Sequence, residues 1–481
     1  MKMFLNGQWV DASDSGVLEV VNPATGQVID TVPDATREDL DKALDLAVTG
    51  QKIWNAVPLH EKLSILERYA CMVTEQVEPI AQVMCQEGGK PIAQCRTEVY
   101  ANAAIFRIYC SAANTFYGKT LPLNAEPRSQ GDLAFTVHEP LGVFANIVPF
   151  NYPVELAAHK LAPMLVTGNS VVLLPSSKTP RSALMITELL VKAGVPAEAV
   201  CCLTGAGRKV GAWAVADPRI AAVSFTGSTG VGIGIAQTCA KDLRRVSLEL
   251  GGNDPMIIYN DCDLEKALEE TVSGRIGNAG QTCCASKRFL VQRDIYNRFS
   301  VELVRRLSEI KMGDPADPNV ELGPVIREEA AVTVESQIQK TLAQGGTLAY
   351  GGHRSGAFIE PTVILTPETC DIARDMEVFG PVFPLIPFDT EADAIRIANQ
   401  TCYGLSSGVM TSDIAKAIRT ASKLQAGACI LGGSGNYRLA HQPFGGYKHS
   451  GLGREGAVST LEEMTQQKTI SLKGILNGGE I

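Results

Sequence analysis

Between residues 143 and 248 the chain alternates short apolar runs with longer segments of helical spacing, and few folds accept that rhythm. Val143-Phe144-Ala145-Asn146-Ile147 reads as a strand, and residues 170–174 as another, followed by a helix over 179–193. Strands over 199–203 and 220–225 are each followed by a helix, over 210–216 and 229–240, and a strand over 245–248 closes the series. Strands apolar on both faces and joined by helices imply a parallel, doubly wound sheet, an α/β fold. From Asp254 a second strand–helix series runs to about Leu431. A chain of 481 residues outgrows one hydrophobic core, so two or more domains are expected.

The flanks read differently. Residues 4–32 alternate apolar and polar around Asn6-Gly7 and Asn22-Pro23, as short strands and turns do. Thr36 to Asp39 fits a capping box ahead of Leu40, Ala43, Leu44 and Ala47 at helical spacing. One helix is expected over 60–87, stopped by Gly88-Gly89, and another over 93–116. Residues 131–147 return to β character, and the Asn477-Gly478-Gly479-Glu480 tail reads as a frayed end.

Charge and cysteine usage exclude several function classes. A formal net charge of −9 with scattered Lys and Arg offers no basic stripe for nucleic acid. No run approaches the roughly 18 uncharged apolar residues of a membrane span, and Met1 to Gly7 lacks the apolar run of a secretory signal. Thirteen cysteines, an odd number in no disulfide-like framework, suit a reducing compartment, so a cytoplasmic location is expected. His159, His441 and His449 have no metal-ligand spacing, so no metal site is expected.

The chemistry concentrates in Gly280-Gln281-Thr282-Cys283-Cys284-Ala285 and Glu249-Leu250-Gly251-Gly252. Cys283 follows Gly and two polar residues, as a thiol on a tight turn would. Glu249 lies between the run 245–248 and a Gly-Gly break, where a carboxylate can overhang a cavity. A thiolate attacks a carbonyl, and a carboxylate can later activate water. A buried small hydrophobe and a solvated carboxylate are the ordinary readings of either residue alone. Cys284 is read as packing inward. Two glycine-bearing loops open helices after strands, Gly205-Ala206-Gly207 and Gly227-Ser228-Thr229-Gly230-Val231-Gly232. Glycine admits a close backbone approach and a helix N-terminus favours phosphate, yet neither is a strict Gly-x-Gly-x-x-Gly. An ordinary strand-to-helix turn fits their spacing equally well.

With Leu248-Glu249-Leu250-Gly251-Gly252-Asn253 and Gly280-Gln281-Thr282-Cys283, four more blocks make a pattern: Pro149-Phe150-Asn151-Tyr152-Pro153, Phe225-Thr226-Gly227-Ser228, Glu377-Val378-Phe379-Gly380-Pro381 and Pro443-Phe444-Gly445-Gly446. In these blocks, in this order, the chain resembles the aldehyde dehydrogenase superfamily. The resemblance implies a Rossmann-like cofactor domain (1–120 and 140–250), an α/β catalytic domain (251–445) and a β-flap formed by bridging segments 121–139 and 446–481. Flap strands that pair across subunits imply a homodimer or homotetramer.

By the same resemblance Cys283 is the nucleophile, Glu249 the general base, and Asn151 with the Cys283 N–H the oxyanion hole. NAD or NADP is the implied cofactor, with Ser228 at its pyrophosphate and Glu377 and Phe379 at the nicotinamide ribose and ring. Pro149, Ser176, Ser177, Lys178, Gly207, Gly211, Phe225, Gly227 and Leu250 complete the cofactor set. One departure bears on the dinucleotide. The family's usual Lys-Pro-Ser-Glu is here Leu174-Pro175-Ser176-Ser177, so the carboxylate that would repel a 2′-phosphate is gone. Lys178, Arg208 or Lys209 could supply positive charge, and NADP is expected to be tolerated.

Ala157-Ala158-His159-Lys160 resembles the subgroup of lactaldehyde and non-phosphorylating glyceraldehyde-3-phosphate dehydrogenases, which implies a small hydroxylated or anionic aldehyde substrate. His159, Arg438 and His441 are the candidate substrate contacts. Arg438 could pair with a carboxylate, phosphate or sulfonate, or be a solvated loop charge or a subunit-interface partner. Three other readings share the residues: a CoA-dependent acylating semialdehyde dehydrogenase, against which the intact Glu249 argues; a cysteine hydrolase or thioesterase without dinucleotide; and a non-catalytic structural protein.

Overall fold

The computed structural model describes residues 1–476, and the 477–480 tail lies outside them. Two sheets organise the molecule. The first has eight strands in the order Gln8–Val10, Met3–Leu5, Val200–Cys202, Ser170–Leu174, Val143–Ile147, Ile220–Thr226, Arg245–Glu249 and Gly451–Leu452. Its five central strands are parallel, and the flanking ones run antiparallel. The central strands are largely apolar because helices cover both faces, and Ser170–Leu174 is buried along its whole length.

Chain order within this sheet reverses beside Val143–Ile147. From there the chain steps outward through Ser170–Leu174 to Val200–Cys202, then returns on the other side to Ile220–Thr226. At such a reversal the loops leaving two neighbouring strand ends diverge and open a crevice. Here those loops begin at Pro149 and Gly227.

The second sheet has seven strands in the order Thr347–Tyr350, Thr362–Leu365, Val382–Phe388, Ser286–Gln292, Asp254–Ile258, Gly408–Met410 and Ile430–Leu431. Only Thr347–Tyr350 is antiparallel to its neighbour. A third sheet pairs Thr465–Leu472 with Leu133–Pro140 over eight residues, with Thr120–Leu121 on its far edge.

The helix boundaries follow local chemistry. The capping box forms: the Thr36 hydroxyl accepts from Asp39 N–H at 3.2 Å, and Asp39 accepts from Thr36 N–H at 2.9 Å, opening Arg37–Ala56. The single helix expected over 60–87 is two, Leu59–Glu75 and Val77–Gly88, broken at Gln76 (φ −103°, ψ 19°). Pro79 is the reason. It has no N–H to continue a helix but is tolerated in a first turn. Gly89 then ends the second helix with φ +74°. The helix expected over 210–216 begins three residues earlier, as Gly207–Ala216.

Candidate active site

Cys283 stands on an unusual turn. Asn278, Ala279 and Gly280 all have positive φ, at 50°, 54° and 74°. Two non-glycine residues in that region cost on the order of 1–3 kcal/mol each, so the surroundings must hold them there. Asn278 donates through Nδ2 to Asn151 O at 2.8 Å, and Gln281 clasps Asn278 O at 3.0 Å and the Ile326 N–H at 2.9 Å. A Cβ at Gly280 would run into the Gly380 carbonyl. Buried Arg275 ties the turn to the 378–382 segment, donating to Val378 O, Val382 O and Gly280 O. Burial pulls its pKa down to about 9, against the pull of Glu377 and Asp254.

Asn151 reaches the same turn from the first sheet, donating through Nδ2 to Gln281 O at 2.9 Å. Its loop is pinned from below by Glu98, which accepts from the Val154 and Glu155 N–H groups and pairs with buried Lys90. Lys90 in turn lies 3.5 Å from the Tyr152 ring centroid. Asn151 Nδ2 keeps a second hydrogen, and the Cys283 N–H is in no hydrogen bond among the described residues. Two donors can therefore converge where an oxyanion would form.

Eleven residues enclose a cavity of about 230 Å³: Pro149, Phe150, Asn151, Thr226, Gly227, Ser228, Leu250, Gly251, Cys283, Glu377 and Phe379. It occupies the crevice at the strand-order reversal. Eight of the sequence-derived candidates meet here: Cys283, Asn151, Pro149, Gly227, Ser228, Leu250, Glu377 and Phe379. Phe225 lies beneath, its ring where a Gly227 Cβ would be. The lining offers the chemistry that a dinucleotide's phosphates and ribose would need. Ser228 caps the helix Thr229–Ala240 without a side-chain hydrogen bond, leaving first-turn N–H groups for an anion, and Glu377 offers a carboxylate to hydroxyls. Gly251 is needed for that carboxylate to approach, because a Cβ there would strike Glu377 Oε2.

The remaining cofactor candidates lie outside the cavity wall. Ser176, Ser177 and Lys178 follow the strand Ser170–Leu174 and are partly exposed, with Lys178 Nζ 5.6 Å from the Phe150 ring. Gly207 is exposed at the start of its helix, and Gly211 is buried one turn on, facing Ile147. Of the three cations named from the sequence, Lys209 is paired with Asp34 at 3.0 Å, while Arg208 is exposed without a hydrogen bond or ion pair among the described residues.

Glu249 ends the strand Arg245–Glu249 beside this cavity, with its side chain buried and Oε2 unpartnered. Burial, then Glu455, pushes its pKa well up, while Arg438 and Lys160 oppose. Beneath it lies a charge cluster that sequence reading missed. Lys160 Nζ lies 2.7 Å from Glu455 Oε1 and 3.0 Å from Ser224 Oγ, and Arg438 donates to Glu455 Oε2 at 2.7 Å while lying over the Phe444 ring. The signal available was a lone lysine inside an apolar helical stretch, Leu161 to Val166 following it.

Arg438 is thus neither a solvated loop charge nor open on all sides; among its polar atoms Nε alone is a buried donor without a partner. His159 is buried with Nδ1 unpartnered, and burial, then Arg438, holds it well below the usual imidazole range. His441 is exposed and does not line the cavity. Cys284 is buried against Leu405 and Phe444. Hydrogen bonding with Cys284 and burial push the Cys283 thiol well up, and Lys287 and Arg438 pull it down.

The aldehyde dehydrogenase family profile matches residues 9–470. The chain belongs to that family, whose members are NAD(P)-dependent oxidoreductases of aldehydes. It is 36% identical over 469 residues to the NADP(+) succinate-semialdehyde dehydrogenase GabD of Escherichia coli, covering 96% of each chain. It is 34% identical over 472 residues to lactaldehyde dehydrogenase of Methanococcus vannielii, covering 97% of this chain and 99% of that one. A betaine aldehyde dehydrogenase from Staphylococcus aureus, solved with NAD+, superposes with a TM-score of 0.95 at 33% identity, covering 100% of this chain and 96% of that one.

Proposed function

We propose that this aldehyde dehydrogenase oxidises a small hydroxylated or anionic aldehyde, of the lactaldehyde, sulfolactaldehyde or semialdehyde kind, to its carboxylic acid, with NAD or NADP and without acyl transfer to coenzyme A. The observation that carries the reading is one cavity holding a thiol, an amide donor, a phosphate-favouring helix N-terminus and a ribose-compatible carboxylate, with a buried, unpartnered carboxylate oxygen beside it.

The Cys283 thiolate attacks the carbonyl carbon, forming a C–S bond. The electron pair displaced onto oxygen is met by the Asn151 amide and the Cys283 N–H. When bound, the dinucleotide supplies the acceptor for the hydride that leaves this carbon. Glu377 and Phe379 orient it, and Ser228 and the helix behind it hold its phosphates. A thioester on Cys283 remains. Glu249 takes a proton from water, the hydroxyl bonds to the acyl carbon, the C–S bond breaks, and the thiolate is restored as the acid leaves.

Within this reading residues 1–120 and 140–250 carry the dinucleotide, 251–445 carry the nucleophile, and 121–139 with 446–481 bridge subunits. The flap strand Thr465–Leu472 is exposed over all but its first residue and lies on a sheet edge, which supports pairing in a homodimer or homotetramer. Thirteen unpaired cysteines support a reducing, cytoplasmic setting, and no described helix is long and apolar enough to cross a membrane. His159 and Arg438 are the proposed substrate contacts, supported by the unpartnered Arg438 Nε and His159 Nδ1, while exposed His441 gains no such support.

A panel of small aldehydes, with and without an acidic headgroup, run against NAD and NADP in the absence of coenzyme A tests the reading. NAD(P)H should appear with the hydroxylated or acidic members. Strict dependence on coenzyme A, or turnover confined to large apolar aldehydes, sinks it.

A further inference from the structure

Two consecutive cations, Lys287 and Arg288, are buried on the strand Ser286–Gln292, at a shift in its register with Asp254–Ile258, and they take different partners. Arg288 is occupied structurally, donating to the carbonyls of Asn253, Ala373, Ile397 and Ala398. Lys287 points into the site. Its ammonium, on a side chain 1% exposed, lies 3.1 Å from Glu377 Oε1 and also donates to the carbonyl of Cys283 itself. The Phe379 ring centroid is 5.9 Å away. The same Glu377 oxygen also accepts from the Gly252 N–H at 3.2 Å.

We propose that Lys287 is a positioning residue that couples the cofactor wall to the nucleophile, one buried ammonium holding the Glu377 carboxylate and the Cys283 backbone together. The inference rests on the roles proposed above for Cys283 and Glu377, and assigns to Lys287 what neither does alone. By gripping the Cys283 carbonyl it fixes the orientation of the turn that presents the thiol. Its charge, close to the sulfur in a poorly solvated site, favours the thiolate. By pairing with Glu377 it holds that carboxylate in place for a ribose. An ammonium taken out of water needs such an anion beside it.

The charged and titratable groups facing Cys283 are Cys284, Lys287, Arg438 and Glu249. Those facing Lys287 are Glu377 and Asp254. Among the charged groups of the described residues, Lys287 is the one that bonds both the nucleophile's carbonyl and the cofactor-side carboxylate. Lys287→Gln keeps hydrogen-bonding capacity and removes the charge, and Glu377→Gln removes the carboxylate and leaves the ammonium.

The test follows iodoacetamide alkylation of Cys283 across pH, with mass spectrometry locating the adduct, alongside fluorescence titration with NADH and NADPH. Lys287→Gln should move the alkylation midpoint up by about one pH unit, roughly tenfold slower alkylation at a fixed lower pH, and weaken dinucleotide binding. Glu377→Gln should also weaken dinucleotide binding but leave the midpoint unchanged or lower. That opposition in sign marks the coupling, and a merely structural lysine would not produce it. A Lys287→Gln protein with wild-type circular dichroism and a wild-type alkylation profile overturns the proposal, as does an upward movement of the midpoint in both variants. Where Lys287→Gln does not fold, Lys287→Arg takes its place. The retained charge should preserve the midpoint while dinucleotide binding weakens, and an upward movement overturns the assignment. Wild-type protein that binds neither NADH nor NADPH would instead sink the functional reading beneath it.

Discussion

The two walls of this site handle charge in opposite ways. On the cofactor side a single ammonium, Lys287, pairs directly with one carboxylate, Glu377, in the wall of a cavity that a ligand can enter. On the side away from it, two cations and two carboxylates are packed out of solvent: Lys160 and Arg438 against Glu455, with Glu249 above them. Buried carboxylates that share cations do not titrate alike. Burial works against the Glu455 charge, but Lys160 and Arg438 lie in direct contact and hold it well below the usual carboxylate range. Glu249 touches neither cation and is pushed the other way by burial and by Glu455. Glu455 therefore stays ionised while Glu249 is the group free to gain and lose a proton. Environments that split two carboxylates in this manner support the acid–base role proposed above for Glu249.

The sharpest way to break this division is to remove the sulfur. Cys283→Ala should lower aldehyde oxidation by at least about a thousandfold while leaving NADH and NADPH binding within about twofold in a fluorescence titration. Surviving turnover would remove the nucleophile from the cavity wall and with it the comparison.

A smaller loss is expected on the other wall. Glu249→Gln should cut steady-state turnover by roughly 10²–10⁴-fold, the range of a lost general base, yet keep a first-turnover burst of NAD(P)H in stopped flow. The pH sign follows from burial, which raises the Glu249 pKa. A base with a raised pKa is protonated at low pH, so wild-type deacylation should rise with pH through that raised value. In Glu249→Gln this limb should flatten, and its persistence would mean another group takes the proton.

Arg438 is where the walls can be told apart quantitatively. Removing its charge takes away one of the two cations that oppose the raising of the Glu249 pKa. In Arg438→Gln the deacylation limb should therefore move to higher pH, with about tenfold less turnover at neutral pH if the limb moves by about one pH unit, and Arg438→Lys should recover part of it. A change confined to KM for aldehydes with acidic headgroups, at an unmoved limb, would instead make Arg438 a substrate anchor alone.

What sequence could and could not supply divides along the same line. The strand–helix rhythm from 143 to 248 announced the parallel sheet because burial on both faces leaves continuous apolar runs, a one-dimensional signature. The Cys283, Glu249 and Asn151 loops were legible as short blocks because a tight turn, a Gly-Gly break and a Pro-flanked loop each need particular residues in sequence. The break at Gln76 was missed because an apolar pattern of helical spacing ran across it, and the significance of Pro79 depended on where the second helix began. Lys160, Glu455 and Lys287 left no such mark. Lys160 and Glu455 are 295 residues apart, and Lys287 must meet both Cys283, close by in sequence, and Glu377, far along it. Only the fold closes the longer of these separations. A charged residue in an apolar run is a weak flag until its partner is known.

The smallest effect expected concerns dinucleotide choice, and it probes the cofactor wall beyond the reach of Lys287. Ser177 follows the strand Ser170–Leu174, partly exposed, next to Lys178, whose ammonium burial and Arg327 destabilise. Ser177→Glu places a carboxylate where the sequence pattern of the family usually has one. Two unit charges about 4 Å apart interact by about 1 kcal/mol in water and more in a partly desolvated loop, so a 2′-phosphate should be repelled enough to raise the NADPH Kd about tenfold. NADH has no phosphate there and gains an acceptor for its ribose hydroxyls, so its Kd should hold or fall. Titrating both reduced dinucleotides into wild type and variant decides the matter: a parallel weakening of the two would mean that residue 177 shapes the loop without facing the adenosine ribose, and discrimination would have to be sought at Arg208.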